Sequence, residues 1–202
     1  MFVTKYSRIN TTMCPGSYLS VIYVSEGEGE GVSLVQVANT IREDRDSLDG
    51  VAIACEDGDP LYIDDLYTVI KNVKQPNLDM ILVTEGRGYR NLDDLVGAGY
   101  INFVNFVMDS TPDKEQRDCI RLLTDAGCPY MITLTMIPGR VSEQSMKDMM
   151  EVIHSCKRLI LLPFDPAKCK NPTVAHMKPF TKKEMMSLAA LAKGATVDVI
   201  MV

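Results

Sequence analysis

The hydrophobic pattern alternates short apolar runs with amphipathic segments along the whole chain. Six runs rich in β-branched residues predict strands over residues 17–24, 50–54, 79–84, 101–108, 130–137 and 158–164. Most of these runs are apolar almost throughout, which is typical of parallel strands buried on both faces. A last apolar run, residues 197–202, predicts a seventh strand or a segment that closes the edge of a barrel.

Amphipathic segments between the apolar runs predict helices over residues 34–44, 63–73, 92–96, 114–126, 143–155 and 182–193. Ser33, Ser142 and Thr181 precede three of them, where a hydroxyl oxygen can accept hydrogen bonds from the unpaired N–H groups of the first turn. Gly127 and Gly194 follow two helix ends, as expected for residues that stop a helix. Strands that alternate with helices predict an α/β fold, and the chain length favours one domain over residues 1–202.

The alternation of strand and helix fits two architectures. Six β-α units in 202 residues fit either a partial (β/α)6 TIM-like barrel with parallel strands or an open doubly wound sheet. Periodicity does not separate the two. In both, ligands bind at the carboxyl ends of the strands, so functional residues are expected just after each strand.

Charge and composition argue against some classes of function. The net charge of −6 and the absence of a basic run argue against binding along a nucleic-acid backbone. No stretch approaches the roughly 20 apolar residues of a membrane span, and the first 13 residues show no secretory leader pattern, so we expect a cytoplasmic protein. Thirteen methionines and no tryptophan predict an adaptable, oxidation-sensitive core, a hint of an anaerobic source.

Chemically active residues follow three consecutive predicted strands. The candidate ligand-binding residues are Asp57, Gly58, Asp59, Pro60, Thr84, Glu85, Gly86 and Asp109. Together with Glu56, they would place five carboxylates around one mouth of a barrel. Such a site would bind a divalent cation or the amino group of a small molecule. The alternative is a set of solvated turn carboxylates without a ligand.

The order of these turns resembles that of the radical S-adenosylmethionine activating enzymes, which serve anaerobic ribonucleotide reductase and glycyl-radical enzymes. Residues 57–60, Asp-Gly-Asp-Pro, are similar to the family's Gly-Gly-Glu-Pro turn, and residues 84–86 are similar to its Thr-Asn-Gly turn. Asp109 stands where the family has an aspartate after its fourth strand. The resemblance covers most of the chain and implies a partial barrel, a 4Fe–4S cluster and S-adenosylmethionine as cosubstrate.

One departure from the family decides the functional expectation. The family carries Cys-x-x-x-Cys-x-x-Cys after its first strand, whereas residues 25–33 here read SEGEGEGVS. Glutamate and glycine cannot replace the three thiolates that hold the cluster, and Cys14 precedes the strand. We therefore predict no 4Fe–4S cluster, no bound metal and no resident cofactor. Binding of S-adenosylmethionine, through Asp59, Thr84 and Asp109, is expected to be weak without iron.

Two cysteines and two arginines also stand at predicted strand ends. Six cysteines are scattered through the chain without a C-x-x-C spacing, so Cys55 and Cys169 are either buried small hydrophobic residues or a metal-binding pair. Arg87 and Arg140 either hold an anion or neutralise the neighbouring carboxylates.

Three functional hypotheses remain open from the sequence. The leading one is a cluster-free relative of the activating enzymes that serves as a binding scaffold for a small molecule or a partner protein. The second is an active enzyme that uses the strand-end carboxylates, with or without Mg²⁺, for acid/base or transfer chemistry. The third is a radical S-adenosylmethionine activating protein whose cluster is completed by a partner.

Overall fold

The computed structural model describes residues 1–27, 29–153, 155–169, 171–192 and 198–201. Its strands are β1 Phe2–Asn10, β2 Leu19–Ser25, β3 Gly50–Cys55, β4 Asp79–Thr84, β5 Phe103–Met108, β6 Tyr130–Met136, β7 Arg158–Pro163 and β8 Val199–Met201. Its helices are α1 Leu34–Asp44, α2 Leu66–Val73, α3 Tyr89–Gly97, α4 Lys114–Asp125, α5 Glu143–Val152 and α6 Lys182–Ala192. One-turn 3₁₀ helices, among them Pro60–Tyr62, connect some of these elements.

The strands form a sheet in which their order follows the chain from β1 to β8. β2, β3 and β4 pair in parallel, and so do β6, β7 and β8. β1 differs, because it runs antiparallel to β2. The prediction of an α/β fold with parallel strands is therefore confirmed, and the chain adds an antiparallel first strand.

β1 lies outside the predicted strands, and the hydrophobic pattern of residues 2–10 explains why. Its sequence, FVTKYSRIN, has few fully buried positions, and Val3 is the most deeply buried of them. A strand that is half exposed reads as alternation rather than as a continuous apolar run. Residues 2–10 contain no continuous apolar run, so the pattern does not predict a buried strand there.

Most predicted elements lie within three residues of the observed ones. α1 and β4 have the predicted bounds, whereas α2 begins at Leu66 rather than at residue 63 because Asp65 has a φ of +62°, outside the helical region. β8 falls within the apolar run at the end of the chain. The predicted end of the last helix at residue 193 and the stop signal Gly194 lie outside the described residues.

Helix caps follow the predicted chemistry. The Ser33 hydroxyl accepts the backbone N–H of Gln36 at the start of α1, and the Ser142 hydroxyl accepts that of Ser145 at the start of α5. Gly127, just past α4, has a φ of +65°, a conformation that glycine adopts without steric cost. These local signals place the helix ends close to where the sequence predicts them.

Two compact units divide the chain, Met1–Val104 and Asn105–Val202. In the first, the interior is built from fully buried aliphatic side chains of β2 and β3, including Val21, Ile22 and Ile53. In the second, the rings of Phe106 and Tyr130 pack edge to face, with centroids 5.9 Å apart. The single-domain assignment stays a prediction.

No helix in the described part of the chain has the length and apolarity needed to cross a bilayer.

The glycine-rich segment after β2 lies close against β1. The Val32 N–H donates to the Val3 carbonyl at 2.8 Å, and a Cβ at Gly31 would stand 2.2 Å from that same oxygen. A Cβ at Gly29 would meet the Phe2 ring at 2.6 Å. Gly31 therefore requires glycine because the Val3 backbone cannot move aside, whereas a Cβ at Gly29 would require the Phe2 ring to turn away.

We predict that Gly31→Ala destabilises the protein through the clash with the Val3 carbonyl. The free energy of unfolding should fall by about 1–3 kcal/mol, the usual cost of forcing extra atoms into a close contact. Gly97→Ala is the matched control, because no atom lies within 4 Å of its added Cβ. Urea titration should show that variant to be as stable as the parent or more stable. Equal effects of the two substitutions would contradict the packing of this segment on β1.

Candidate functional site

Asp59 lies at the centre of the candidate site and is 6% exposed. Its carboxylate accepts the Leu61 N–H at 2.9 Å and the Glu85 N–H at 2.7 Å. The Thr84 hydroxyl donates to the same carboxylate, with Oγ1 lying 2.8 Å from Oδ1 and 2.6 Å from Oδ2. The buried carboxylate thus connects the turn after β3 to the turn after β4.

Thr84 extends this connection into the backbone of the next turn. Its side chain is buried, and its hydroxyl oxygen accepts the Gly86 N–H at 2.9 Å while the hydroxyl donates to Asp59. Gly86 has a φ of +79°, which turns the chain back towards the hydroxyl. The structure therefore brings together three of the predicted site residues, Asp59, Thr84 and Gly86, with the backbone of Glu85.

The ionisation of Asp59 is set by two opposing effects. Burial is the larger and raises the pKa of the carboxyl above its ordinary value, because a charge is poorly solvated inside the protein. Hydrogen bonds from Thr84 and from the backbone of Leu61, Glu85 and Arg87 lower it. Four donors, the Thr84 hydroxyl and the backbone N–H groups of Leu61, Glu85 and Arg87, therefore occupy most of the acceptor capacity of the carboxylate.

The other residues of the turn after β3 play local roles. Asp57 and Gly58 are exposed, and Gly58 has a φ of +104°. Pro60 opens the 3₁₀ turn that Asp59 caps, a position where the missing N–H of proline is not needed. The Cys55 thiol donates to the Val24 carbonyl at 2.9 Å and to the Asp57 carbonyl at 3.3 Å, which closes the turn onto β2.

Carboxylates near the strand ends are paired with cations of their own unit. Glu56 lies 3.5 Å from the Lys5 ammonium of β1, and Glu85 lies 3.8 Å from the Arg87 guanidinium. In the second unit, Asp109 forms an ion pair with Arg140. Both arginines thus neutralise carboxylates, as one of the two alternatives from the sequence predicts. The common mouth for all five carboxylates stays a prediction.

The cysteines at strand ends have neighbours typical of buried thiols. Burial raises the pKa of the Cys55 thiol above its ordinary value. Cys169 packs against an apolar cluster of Ile137, Phe164 and Val174 in the second unit. Across the part of the chain that the structure describes, no group of three or more His, Cys, Asp or Glu side chains is arranged to hold a metal ion.

The segment after β2 does not fit the cluster that the family resemblance implies. An iron-sulfur cluster of this class needs thiolates in one loop, and residues 26–33 contain none. Cys14 lies before β2 begins, and Cys55 is the single thiol at the end of β3. The donor set of this segment therefore does not fit a 4Fe–4S cluster.

Comparison with known proteins places the fold but finds no sequence relative. No family model matches the sequence, and no curated protein matches it. The backbone is similar to solved structures of SuiB from Streptococcus suis. The structure of SuiB bound to precursor peptide SuiA aligns with a TM-score of 0.66 at 9% identity, over 98% of this chain and 47% of SuiB. SuiB bound to S-adenosylmethionine aligns with a TM-score of 0.62 at 9% identity, over 88% and 45%.

At such low identity the likeness concerns the fold alone, and this chain spans about half the length of the SuiB chain. The backbone fold is similar to that of SuiB. The assignment to the activating-enzyme subtype stays a prediction.

Sequence reasoning named Asp59 and Thr84 but missed their contact with each other. Ligand binding by both residues stays a prediction. In the structure the Thr84 hydroxyl donates to Asp59 and accepts the Gly86 N–H. A signal for the local role was present in the Asp59-Pro60 pair, because aspartate before proline commonly caps a tight turn. The pairing with Thr84 had no such signal, since 25 residues separate the two in the chain.

We predict that Thr84→Val destabilises the protein more than Thr84→Ser does. Valine keeps the volume but removes the donor to Asp59 and the acceptor for Gly86, so the free energy of unfolding should fall by about 1–3 kcal/mol. Serine keeps the hydroxyl and should cost less than half as much. Urea titration of both variants measures the difference. Equal losses would mean that the hydroxyl does not support the buried carboxylate.

We also predict a pH-dependent contribution from Asp59. Because its folded pKa is raised, its contribution to stability is full below the unfolded value, ordinarily 3.8, and is lost as the pH rises through the folded value. Asp59→Asn removes this titration. The free energy of unfolding of the wild type minus that of the variant should therefore fall as the pH rises from about 4 towards neutral. A difference that grows with pH would show that the hydrogen bonds outweigh burial.

Proposed function

We propose that this protein is a cluster-free binding scaffold built on a radical-SAM-like fold, and that its partner is a peptide or a protein. The observation that carries the proposal is the segment at residues 25–33, SEGEGEGVS, which offers no thiolate where the resembling enzymes hold their cluster. S-adenosylmethionine is fixed in that family by chelation to iron. A chain without the iron ligands lacks both the electron source and the main anchor for that cosubstrate.

The environment of Asp59 supports a scaffold over an enzyme that uses strand-end carboxylates. A general acid or base must reach a substrate proton, and both oxygens of Asp59 are occupied by donors of the protein itself. Glu85 and Asp109 each have a neighbouring arginine. These contacts favour structural and pairing roles for the carboxylates over proton transfer.

The choice of a peptide or protein partner rests on the solved structure of SuiB with its precursor peptide bound. We extend that type of partner to this chain as part of the proposal. The net charge of −6 gives no support to nucleic-acid binding, and it favours partners that carry positive charge. A cytoplasmic location belongs to the same proposal.

Anaerobic reconstitution with iron and sulfide tests the cluster-free proposal. We expect fewer than one iron per chain, no brown chromophore and no deoxyadenosine after S-adenosylmethionine and a reductant are added. A variant with Cys14→Ser and Cys55→Ser is the matched control, because Cys14 precedes β2 and Cys55 is the last residue of β3. The parent and the variant should hold the same small amount of iron.

About four irons per chain, lost in the double variant and accompanied by release of deoxyadenosine, would overturn the proposal. The protein would then be a radical enzyme with an unusual ligand set.

A further inference from the structure

A cavity of about 470 Å³ lies in the first unit, and none of the candidate ligand-binding residues lines it. It is formed by the 3₁₀ turn Pro60–Tyr62, the start of α2, helix α3 and the turn that follows α3. Its volume falls within the range of about 300–1,000 Å³ that is usual for ligand pockets. The side chains of Asp59, Thr84 and Glu85 do not line this cavity.

The floor of the cavity is apolar and held in place by specific contacts. Leu61, Leu66 and Leu95 line it and are each at most 7% exposed. The Asn91 side-chain amide donates to the Leu61 carbonyl and so fastens α3 to the 3₁₀ turn. Gly88, at the start of α3, approaches Leu61 so closely that a Cβ would stand 3.1 Å from the leucine Cβ. The cavity is therefore preformed.

The rim of the cavity carries negative charge. Asp64, Asp65 and Asp94 line it and are exposed, and no lysine or arginine does. Within the described residues, none of these three carboxylates forms an ion pair. Asp65 precedes α2 with a φ of +62°, and its side chain makes no capping hydrogen bond to the helix. The three carboxylates are thus available to a cation from outside.

Tyrosine rings beside these carboxylates already hold one cation of the chain. The Lys71 ammonium lies 5.1 Å from the centre of the Tyr67 ring and 5.5 Å from that of the Tyr100 ring. Both rings line the cavity, and Tyr67 is 47% exposed. An ammonium at this distance from an aromatic face is attracted to it, so this wall stabilises positive charge. Exposed tyrosine is also enriched at protein interfaces.

We propose that this cavity binds an arginine or lysine side chain of a peptide partner. Such a side chain has an apolar stem and a charged head, and the cavity offers an apolar floor beneath an acidic, aromatic rim. A hydrated metal ion matches the rim but not the leucine floor, and a neutral ligand leaves the three carboxylates unused. The inference rests on the proposed binding function and adds the site and the chemistry of the partner.

Amide chemical-shift titration of the isotope-labelled protein tests the inference. The probe is a five-residue peptide, blocked at both ends, with one central arginine, and its counterpart with citrulline has the same shape without the charge. We expect saturable shifts at residues 61–67 and 91–100 with the arginine peptide, and at least fivefold weaker binding of the citrulline peptide.

Three variants make the test specific to the cavity. Asp65→Asn with Asp94→Asn should weaken binding roughly fivefold, since each exposed ion pair contributes only modestly to binding. Asp93→Asn is the matched control, because Asp93 is exposed on the same helix but does not line the cavity, and it should change little. Lys71→Gln should tighten binding about twofold by removing the resident competitor.

Equal shifts with the two peptides, equal losses from the Asp93 and cavity variants, or shifts confined to other residues would each overturn the inference. A cluster found on reconstitution would instead overturn the proposed function. The two failures are therefore distinguishable.

Discussion

The buried carboxylate of Asp59 is the interaction on which the rest of the first unit depends. A charge at 6% exposure is costly unless donors surround it, and here the donors come from the turn it begins and from the turn after the next strand. Without Thr84 and the backbone of Glu85, the 3₁₀ turn after β3 would lose its attachment to the end of β4. Leu61 sits in that turn, so the floor of the neighbouring cavity depends on the same carboxylate.

The segment after β2 is held by close packing against β1. Its glycines let β1 approach, and the Val32 N–H closes the contact on the Val3 carbonyl. Lys5 of β1 also pairs with Glu56 beyond the end of β3. An antiparallel strand and its contacts thus organise this part of the unit through packing and hydrogen bonds.

The carboxylates at the strand ends and those around the cavity of the first unit differ in their contacts. At the strand ends, Asp59, Glu56 and Glu85 are engaged with groups of the protein itself. Around the cavity, the carboxylates of Asp64, Asp65 and Asp94 face solvent beside aromatic rings and over a leucine floor. Carboxylates that form no ion pair within the described residues can pair with a cation of a partner, and such charge complementarity contributes to specificity.

The sequence by itself determined the α/β class, the bounds of α1 and β4, the capping of α1 and α5, and the absence of thiolates after β2. These features rest on periodicity and on contacts within a few residues, which a sequence displays directly. The tertiary structure alone decided that β1 pairs antiparallel with β2, that the Thr84 hydroxyl donates to Asp59, and that Arg140 neutralises Asp109. Each of these depends on residues brought together from distant positions, and the energetic cost of burying a charge is known only once its donors are in place.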